Sequence, residues 1–278
     1  MTTTATISAS DVNRLRQITG TGMMDCKKAL SEANGDFDKA IEILRKKGQK
    51  IAASRSDRDA KEGIVLAKTS ADGKKGILIS VNSETDFVAR NEEFASFVDT
   101  VATIALEKAP TNVEVLNTLI YSGTTTVNDK VIELIGKIGE KIAISRYEFV
   151  TSEKVVGYNH PGNKLATILN FSKNINDEVG RNIAMQIAAM NPISLDKNDV
   201  SAEVIESELN IGRELARKEG KPENMIDKIA QGKLNKFYAE STLLNQEYIR
   251  DAKKTVAQYL ADADKDAKII SFKRIALG

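Results

Sequence analysis

Few residues in this chain are suited to covalent chemistry. There is one histidine, His160, in a turn containing Gly and Pro, and one cysteine, Cys26, followed by two lysines. One His and one Cys cannot build a metal cluster, and a nucleophilic serine would need a Gly-x-Ser-x-Gly elbow, which is missing. The sequence also lacks the glycine-rich motifs that hold nucleotides. We therefore expect no enzyme activity, no cofactor and no metal, with His160 a polar surface residue and Cys26 a half-buried small hydrophobe.

Residues 83–90, Ser-Glu-Thr-Asp-Phe-Val-Ala-Arg, suggest recognition of another protein instead. Phe87 and Val88 form a bare apolar pair between a strand predicted over 77–82 and a helix predicted to begin near Asn91. In one interpretation the ring packs on the first turns of that helix. In the other it enters a partner, because burying an aromatic ring contributes ~1.5–3 kcal/mol in either place.

An internal comparison bears on this choice. The region 63–106 recurs in degenerate form as 155–192, each copy having two apolar strands around a Gly turn and then an amphipathic helix. Where the first copy has Thr-Asp-Phe-Val, the second has Ser-Lys-Asn-Ile-Asn over 172–176. A packing residue required by the fold should occur in both copies. The difference favours a function for Phe87, although Ile175 could fill the packing role.

Composition sets outer limits. The 40 basic and 39 acidic residues balance, so nothing general points to nucleic acid or membrane as a partner. No apolar run approaches the ~20 residues of a membrane helix. The Thr-rich start over 1–10 has no secretory core and no transit-peptide arginines, and we expect it to be a frayed tail. A cytoplasmic protein of about two domains with an accessory module fits these limits.

Three short helices joined by Gly turns are predicted over the first fifty residues. Ser10 is the expected cap of the first helix, which stops at Gly20. Asp36 caps the third helix, which is expected to end near Gly48. The pattern resembles a ubiquitin-associated domain.

Two further expectations concern this domain. Met23 and Met24 lie in a Gly-rich stretch between the first two helices, and we expect one of them to be buried and one exposed. Residues 50–62 are rich in charge and poor in large apolar side chains, which predicts a linker. The first domain would then be tethered to the rest rather than fused with it.

The remainder predicts two related subdomains of antiparallel strands with covering helices. Helical patterns on either side of 220–222 predict an antiparallel hairpin that interrupts the second subdomain. A helix near 252–259 and a final strand over 268–275 follow. The fold class is therefore α+β. The predicted divisions are 1–54 for the three helices and the start of the linker, 55–150 for the first subdomain, 151–192 with 235–278 for the second, and 193–234 for the hairpin.

Four motifs follow one another along nearly the whole chain. They are Leu15-Arg16 with 19–30 and 32–36, Thr85-Asp86-Phe87-Val88, 137–142 with Arg146, and 199–204 with 220–222. In this order they resemble the bacterial translation elongation factor Ts family, the guanine-nucleotide exchange factors of elongation factor Tu. The resemblance implies that the chain acts on elongation factor Tu with GDP bound.

The resemblance also implies a mechanism. In the family the Thr-Asp-Phe-Val segment docks beside the nucleotide site of elongation factor Tu, and its Asp and Phe push between helices of the partner to dislodge Mg²⁺. Here those roles fall to Asp86 and Phe87, while Thr85 and Val88 hold the segment in shape. GDP is then released, and the factor stays bound until GTP enters.

The resemblance also implies further contacts with elongation factor Tu, which rest on less specific motifs. Arg16, Met23 and Met24 would contact the partner's nucleotide-binding domain, and the second subdomain, including His160, its third domain. The hairpin's equivalent mediates self-association in some members, but its apolar stripes here could equally serve one chain, so the stoichiometry is left open. Some members continue past the last strand with a helical module, whose contact we expect to be missing.

Two other classes explain one segment each. An adaptor built on the ubiquitin-associated-like domain would bind a helix or a ubiquitin-like fold through Met23 and Met24, and its binding would survive loss of Phe87. An RNA-associated translation protein is suggested by the basic run 45–47 with Lys50, and it would bind RNA with a steep salt dependence. The exchange-factor interpretation explains all four motifs.

Overall fold

The N-terminal helices open the structure, a computed structural model that describes residues 7–278. They are α1 (Ala9–Thr19), α2 (Met23–Glu32) and α3 (Phe37–Ser54). Ser8, rather than the expected Ser10, caps α1, because Ser8 and Asp11 exchange side-chain and backbone hydrogen bonds in a capping box. Gly20 ends α1 with a φ of 65°, as predicted. The expected frayed start therefore does not include residues 8–10, and its residues 1–6 lie outside the described residues.

The first subdomain is a three-stranded antiparallel sheet covered by helices. Its strands are β1 (Glu62–Thr69), β2 (Lys75–Ser83) and β5 (Ile142–Thr151), in the spatial order β1-β2-β5. Between β2 and β5 lie α4 (Asp86–Ala89), α5 (Glu92–Lys108), α6 (Val113–Thr118), β3 (Ile120–Ser122), β4 (Thr125–Thr126) and α7 (Val127–Ile138). Alternate residues of β2 enter different cores: Ile77 and Ile79 pack beneath α5, and Leu78 packs against the second subdomain. Its continuous apolar run follows from burial on both faces.

The second subdomain repeats this arrangement. Its sheet has the order β10-β7-β6, made from β6 (Lys154–Asn159), β7 (Leu165–Phe171) and β10 (Ile269–Ala276), with α8 (Asp177–Met190) after β7. Before β10 come β8 (Glu247–Tyr248), β9 (Asp251–Thr255) and α11 (Val256–Ala263). Strand β10 confirms the predicted final strand. The helix predicted over 252–259 begins only at Val256, because the preceding residues pair with β8.

The two sheets pack face to face. A Cβ on Gly76 would lie 2.5 Å from Ile168 Cδ1 and 2.7 Å from Val155 Cγ1, so a larger residue here would have to displace these side chains. The side-chain amide of Asn159 joins the edges of β6 and β1: it accepts a hydrogen bond from Ala67 N–H at 2.7 Å and donates one to Ala67 O at 3.0 Å. The two subdomains are therefore in direct contact through core and edge.

Helix α3 packs on α7, so the predicted tether is wrong. The helix runs on to Ser54 instead of ending near Gly48. A Cβ on Gly136 of α7 would lie 3.1 Å from Gly48 Cα, and Arg45 of α3 forms an ion pair with Asp129 of α7. Sequence reasoning treats an isolated glycine as a helix stop, but here its missing side chain lets two helices touch along their backbones. Only a short connection remains between α3 and β1.

The helical hairpin consists of α9 (Ala202–Lys218) and α10 (Glu223–Ser241). A Cβ on Gly212 would lie 3.0 Å from Ala230 Cα, which shows how closely the two helices approach. Arg213 Nε and Asp227 Oδ1 form an ion pair of 2.9 Å across the hairpin. Helix α10 extends to Ser241, beyond the residue 234 at which the hairpin was expected to end.

Candidate partner-binding site

Phe87 is the most exposed large hydrophobic residue of the described part of the chain, with 79% of its surface accessible. It lies in α4, the single turn that follows Thr85 and connects β2 to α5. Phe94 and Phe97, on which it would pack in the intramolecular interpretation, are already fully buried in the core between the first sheet and α5, which we call the first core. That interpretation is therefore wrong. The exposed segment (residues 85–88) presents an aromatic ring to solvent.

Thr85, which precedes the turn, is fixed by Glu140. The Glu140 carboxylate accepts two hydrogen bonds from Thr85, one from the backbone N–H at 3.0 Å and one from Oγ1 at 2.7 Å. Thr85 occupies the N-cap position of α4, yet its side chain makes no cap hydrogen bond to the helix. Its hydroxyl instead joins the exposed segment to the turn between α7 and β5.

Glu84 connects three segments at the base of the exposed segment. Its carboxylate accepts a hydrogen bond from Lys141 N–H at 2.6 Å and forms ion pairs with Arg55 at 3.1 Å and Arg58 at 3.0 Å. The Lys141 hydrogen bond, assisted by the two guanidinium groups and opposed by partial burial, holds the pKa of Glu84 below its ordinary value. Lys141 Nζ also donates to Ser56 O at 2.5 Å. The connection after α3 is thus attached to the exposed segment.

Val88 and Asp86 hold the segment on either side of Phe87. Val88 is buried in the first core. The Asp86 carboxylate pairs with Arg90 Nη2 at 2.7 Å, and Arg90 N–H donates to Asp86 O at 3.1 Å. Asn91 then starts α5 by accepting hydrogen bonds from the next helical N–H groups. The ring of Phe87 therefore stands between two anchored neighbours.

The corresponding junction of the second subdomain has no such ring. Ile175 lies directly before Asn176, the N-cap of α8, and it is buried. A Cβ on Gly180 would lie 3.4 Å from Ile175 Cδ1, so Ile175 packs over the first turns of α8 as a hydrophobic staple does. The packing role at this junction is filled by Ile175 in one copy, while Phe87 remains unpacked in the other.

Arg16, Met23 and Met24 are all exposed. The two methionines have 58% and 65% of their surfaces accessible, so the prediction that one is buried is wrong. The reason is that α2 begins at Met23, which places both methionines in its first turn and directs Cys26 and Leu30 into the core. Flexible thioethers in this position form an adaptable apolar surface.

Helix α7 brings this surface next to the exposed segment. Lys137 lies so close to the end of α1 that a Cβ on Gly20 would be 2.5 Å from Lys137 Nζ. Lys137 also pairs with Glu93, in the first turn of α5, at 2.6 Å. The turn that closes α7 carries Glu140, which holds Thr85. The end of α1 and the exposed segment therefore both lie near the C-terminal end of α7.

His160 lies at the same end of the core. It is exposed in the turn between β6 and β7, where its Nδ1 is 3.1 Å from the hydroxyl of Tyr158. The neighbouring Asn163 accepts a hydrogen bond through its backbone oxygen from Val65 N–H at 2.7 Å, near the start of β1. That end of β1 pairs with the residues of β2 that lead into the exposed segment. The turn of His160 and the exposed segment thus lie at the same end of the two sheets.

Cys26 is fully buried rather than half-buried, and its thiol donates a weak hydrogen bond to Thr21 O at 3.5 Å. Within residues 7–278, no group of three or more His, Cys, Asp or Glu side chains could hold a metal ion. Over the same range, no helix has both the length and the apolar character to cross a membrane.

The basic run at the end of the N-terminal domain is neutralised by neighbouring carboxylates. Its three consecutive cations each have a partner: Arg45 with Asp129, Lys46 with Glu42, and Lys47 with Asp25. An RNA phosphate would have to compete with these carboxylates for the three cations.

Sequence reasoning missed the residues that hold the exposed segment. Arg90 could have been found, because it lies one helical turn after Asp86 with the opposite charge. Glu140 is inside the third motif, but its contact with Thr85 spans 55 positions and no local pattern predicts it. Glu84 likewise gives no sign in the sequence that it joins the connection after α3 to the start of β5.

Fold and site together define an α+β protein with an N-terminal three-helix domain and an anchored, exposed aromatic segment. The family model described as Elongation factor TS matches residues 84–278. The chain is 50% identical over 275 residues to elongation factor Ts of Amoebophilus asiaticus, covering 98% of this chain and 99% of that protein. It is 48% identical over 276 residues to elongation factor Ts of Christiangramia forsetii, covering 99% and 100%. The chain therefore belongs to the elongation factor Ts family.

Proposed function

We propose that this chain is a guanine-nucleotide exchange factor that binds elongation factor Tu with GDP, promotes GDP release and stays bound until GTP enters. It would do so in the cytoplasm during translation elongation. The observation that carries the proposal is Phe87: a ring 79% exposed on a single helical turn whose flanking residues are fixed. An exposed aromatic held in this way gains free energy when a partner buries it.

The proposed mechanism needs no covalent step in this chain. Phe87 and the Asp86 carboxylate push between helices of the partner beside its nucleotide. Mg²⁺ requires near-ideal octahedral geometry and links the phosphates to the protein, so a small displacement of its ligands removes much of the nucleotide's affinity. Thr85 and Val88 hold the segment while it is inserted, through the Glu140 hydrogen bonds and the first core.

Burial of the Phe87 ring alone does not supply the binding free energy that the exchange mechanism requires. Burying a phenylalanine contributes ~1.5–3 kcal/mol, which corresponds to roughly 10- to 150-fold in an equilibrium constant. Only the part of this energy that differs between nucleotide-bound and nucleotide-free partner favours release. Further contacts by Arg16, Met23 and Met24, and by the turn of His160, would supply the rest of the affinity. The end of α1 and the turn of His160 lie at the same end of the core as the exposed segment, which supports this assignment.

The exposed side chains of the hairpin support a second proposal, that the chain self-associates through α9 and α10. Ile211, Leu215 and Met225 have 47%, 42% and 41% of their surfaces accessible. Sedimentation of the free protein over a range of concentrations tests this self-association. A dimer formed through these three side chains would dissociate when Leu215 is replaced by Glu.

Reciprocity gives a direct test of the exchange function. If the chain weakens GDP binding by some factor, GDP must weaken binding of the chain by the same factor. The affinity for nucleotide-free elongation factor Tu would be measured by titration calorimetry, and again at saturating GDP with Mg²⁺. We expect the two affinities to differ by the same factor by which the chain lowers GDP affinity. Equal affinities would contradict the proposal.

A further inference from the structure

Glu140 closes the turn between α7 and β5, and both of its carboxylate oxygens are directed at one residue. Oε2 accepts from Thr85 N–H at 3.0 Å and Oε1 accepts from Thr85 Oγ1 at 2.7 Å. Two hydrogen bonds to a charged acceptor fix both the backbone and the side chain of Thr85. Glu140 itself is in a well-defined place, because Gly139 ends α7 with a φ of 82° and donates from its N–H to Ile135 O at 2.8 Å.

The turn that carries Phe87 depends on such external bonds. Helix α4 has four residues, and helices of this length have no stability of their own. A threonine at the N-cap ordinarily accepts from a helical N–H, but the Thr85 side chain makes no cap bond. The start of α4 is therefore oriented by contacts from elsewhere in the fold. Glu140 supplies two of them, and Ser83 Oγ adds a third by donating to Thr85 O at 2.9 Å.

Phe87 is two residues from Thr85 and packs on nothing that would hold it independently. Its 79% exposure leaves the backbone of the turn as the determinant of where the ring points. Val88 anchors the C-terminal side in the first core, and the bond from Ser83 Oγ remains when Glu140 is removed. Losing Glu140 would therefore loosen the N-terminal side of the turn while these two anchors stay in place. Glu140 therefore influences the orientation of the Phe87 ring through Thr85, the residue at which the turn begins.

We propose that Glu140 is a positioning residue: it holds Thr85 so that the exposed segment is already in its docking conformation before the partner arrives. This inference rests on the proposed exchange function. A segment ordered in advance loses less conformational entropy on binding, so a preorganised segment binds more tightly than a mobile one with the same side chains. Glu140 would act through Thr85 and Phe87 and would not need to touch the partner.

The first experiment uses the free protein and needs no partner. Amide hydrogen exchange would be measured by NMR for the unaltered chain, Glu140→Ala, Glu140→Gln and the control Glu107→Ala, whose residue is exposed on α5. We expect exchange at Thr85 to be at least about tenfold faster in Glu140→Ala, the effect of losing a charged acceptor, and intermediate in Glu140→Gln, which keeps one oxygen. Amides of β2 and α5 should be unchanged. Unchanged protection at Thr85 would overturn the inference.

The second experiment measures release of fluorescent GDP from elongation factor Tu as a function of factor concentration. Glu140→Ala should raise the concentration for half-maximal acceleration about fivefold or more, with a smaller effect of Thr85→Val. The double variant should be no worse than Glu140→Ala, because both changes remove the same interaction. Additive effects, or weaker binding with Thr85 still protected, would mean that Glu140 contacts the partner directly and would overturn the inference. If the unaltered chain causes no acceleration, the exchange function fails, and amide exchange alone still decides whether Glu140 positions the segment.

Discussion

Asp86 and Arg90 form an ion pair of 2.7 Å, Oδ2 to Nη2, across the one turn of helix that carries Phe87. The Asp86 side chain keeps 36% of its surface accessible and that of Arg90 keeps 77%. Exposed pairs of this kind contribute only ~0–1 kcal/mol to stability. The pair therefore matters for where it holds the Asp86 carboxylate beside the ring rather than for the stability of the fold.

Replacing Arg90 with Ala should separate activity from stability. We expect the acceleration of GDP release at limiting factor concentration to fall about threefold, because the Asp86 carboxylate is no longer oriented, while Tm stays unchanged within the small worth of an exposed pair. Stopped-flow release and thermal unfolding measure the two effects. The matched control is Lys61→Ala, which removes the exposed pair with Asp59 and should change neither. If Arg90→Ala lowers Tm clearly more than the control does, the loss of activity reflects loss of the fold, and this role for the ion pair is contradicted.

The carboxylate of Glu84 should make stability depend on pH in a defined direction. Its pKa is lowered in the folded chain, so its contribution is fully present above the unfolded pKa near 4.5 and is lost as the pH falls through the lowered native pKa. Glu84→Gln should therefore cost about 1–2 kcal/mol at pH 7. Urea unfolding should show this difference constant down to about pH 5 and shrinking below pH 4.5. A difference that stays constant down to pH 3, or one equal to that of the exposed control Glu107→Gln, would contradict the three-segment connection.

Two helical glycines should respond in opposite ways to the same substitution. A Cβ on Gly48 would lie 3.0 Å from Ile132 O, whereas Gly232 of α10 has nothing within 4 Å. Gly48→Leu should lower the free energy of unfolding by about 1–3 kcal/mol because it forces α3 away from α7. Gly232→Leu should raise it by about 0.5–1 kcal/mol through helix propensity. Denaturant unfolding tests both, and a stabilised Gly48→Leu would show that the N-terminal domain is not fused to the core.

The exposed methionines should affect binding but not folding. Replacing Met23 and Met24 together with Ser removes apolar surface that is 58% and 65% accessible, so we expect Tm to change little. The concentration of factor needed for half-maximal GDP release should rise about tenfold, with the maximal rate retained, since these residues would contribute affinity rather than the disturbance at the nucleotide. Ile270→Ser on β10, 53% accessible, is the control. A lowered maximal rate with unchanged half-saturation would contradict this division of roles.

Much of the fold could be predicted from the sequence because its signals are local. The continuous apolar run of β2, the cap at Asn91 and the glycine that ends α1 each act within a few residues, and the structure has the corresponding elements. The predicted end of α3 failed because Gly48 is required by a contact with α7, which lies far along the chain. Local propensity gives no information on such a contact.

The candidate site likewise has features that the sequence could predict and features that depend on long-range contacts. The bare Phe-Val pair was visible in the sequence, and the comparison with the second copy correctly disfavoured a packing role for Phe87. The residues that fix the segment, Glu84 and Glu140, could not be found, because their partners lie on segments brought together only by the folded sheet. The exposure of both Met23 and Met24 was missed because the start of α2 at Met23 decides which side chains face the core.

In the proposed mechanism, Phe87 drives GDP release. Stopped-flow release of fluorescent GDP from elongation factor Tu would be measured at several Mg²⁺ concentrations with the unaltered chain, with Phe87→Ala, and with Ile270→Ala. Ile270 is 53% exposed near the start of β10, at the end of that sheet away from the turn of His160. We predict that the unaltered chain and Ile270→Ala accelerate release alike, while folded Phe87→Ala loses at least about tenfold of the acceleration, the worth of one buried aromatic ring. If Phe87→Ala accelerates release as much as the unaltered chain does, Phe87 has no part in the mechanism. If none of the three proteins accelerates release, although partner binding survives the loss of Phe87, the result would instead indicate an adaptor.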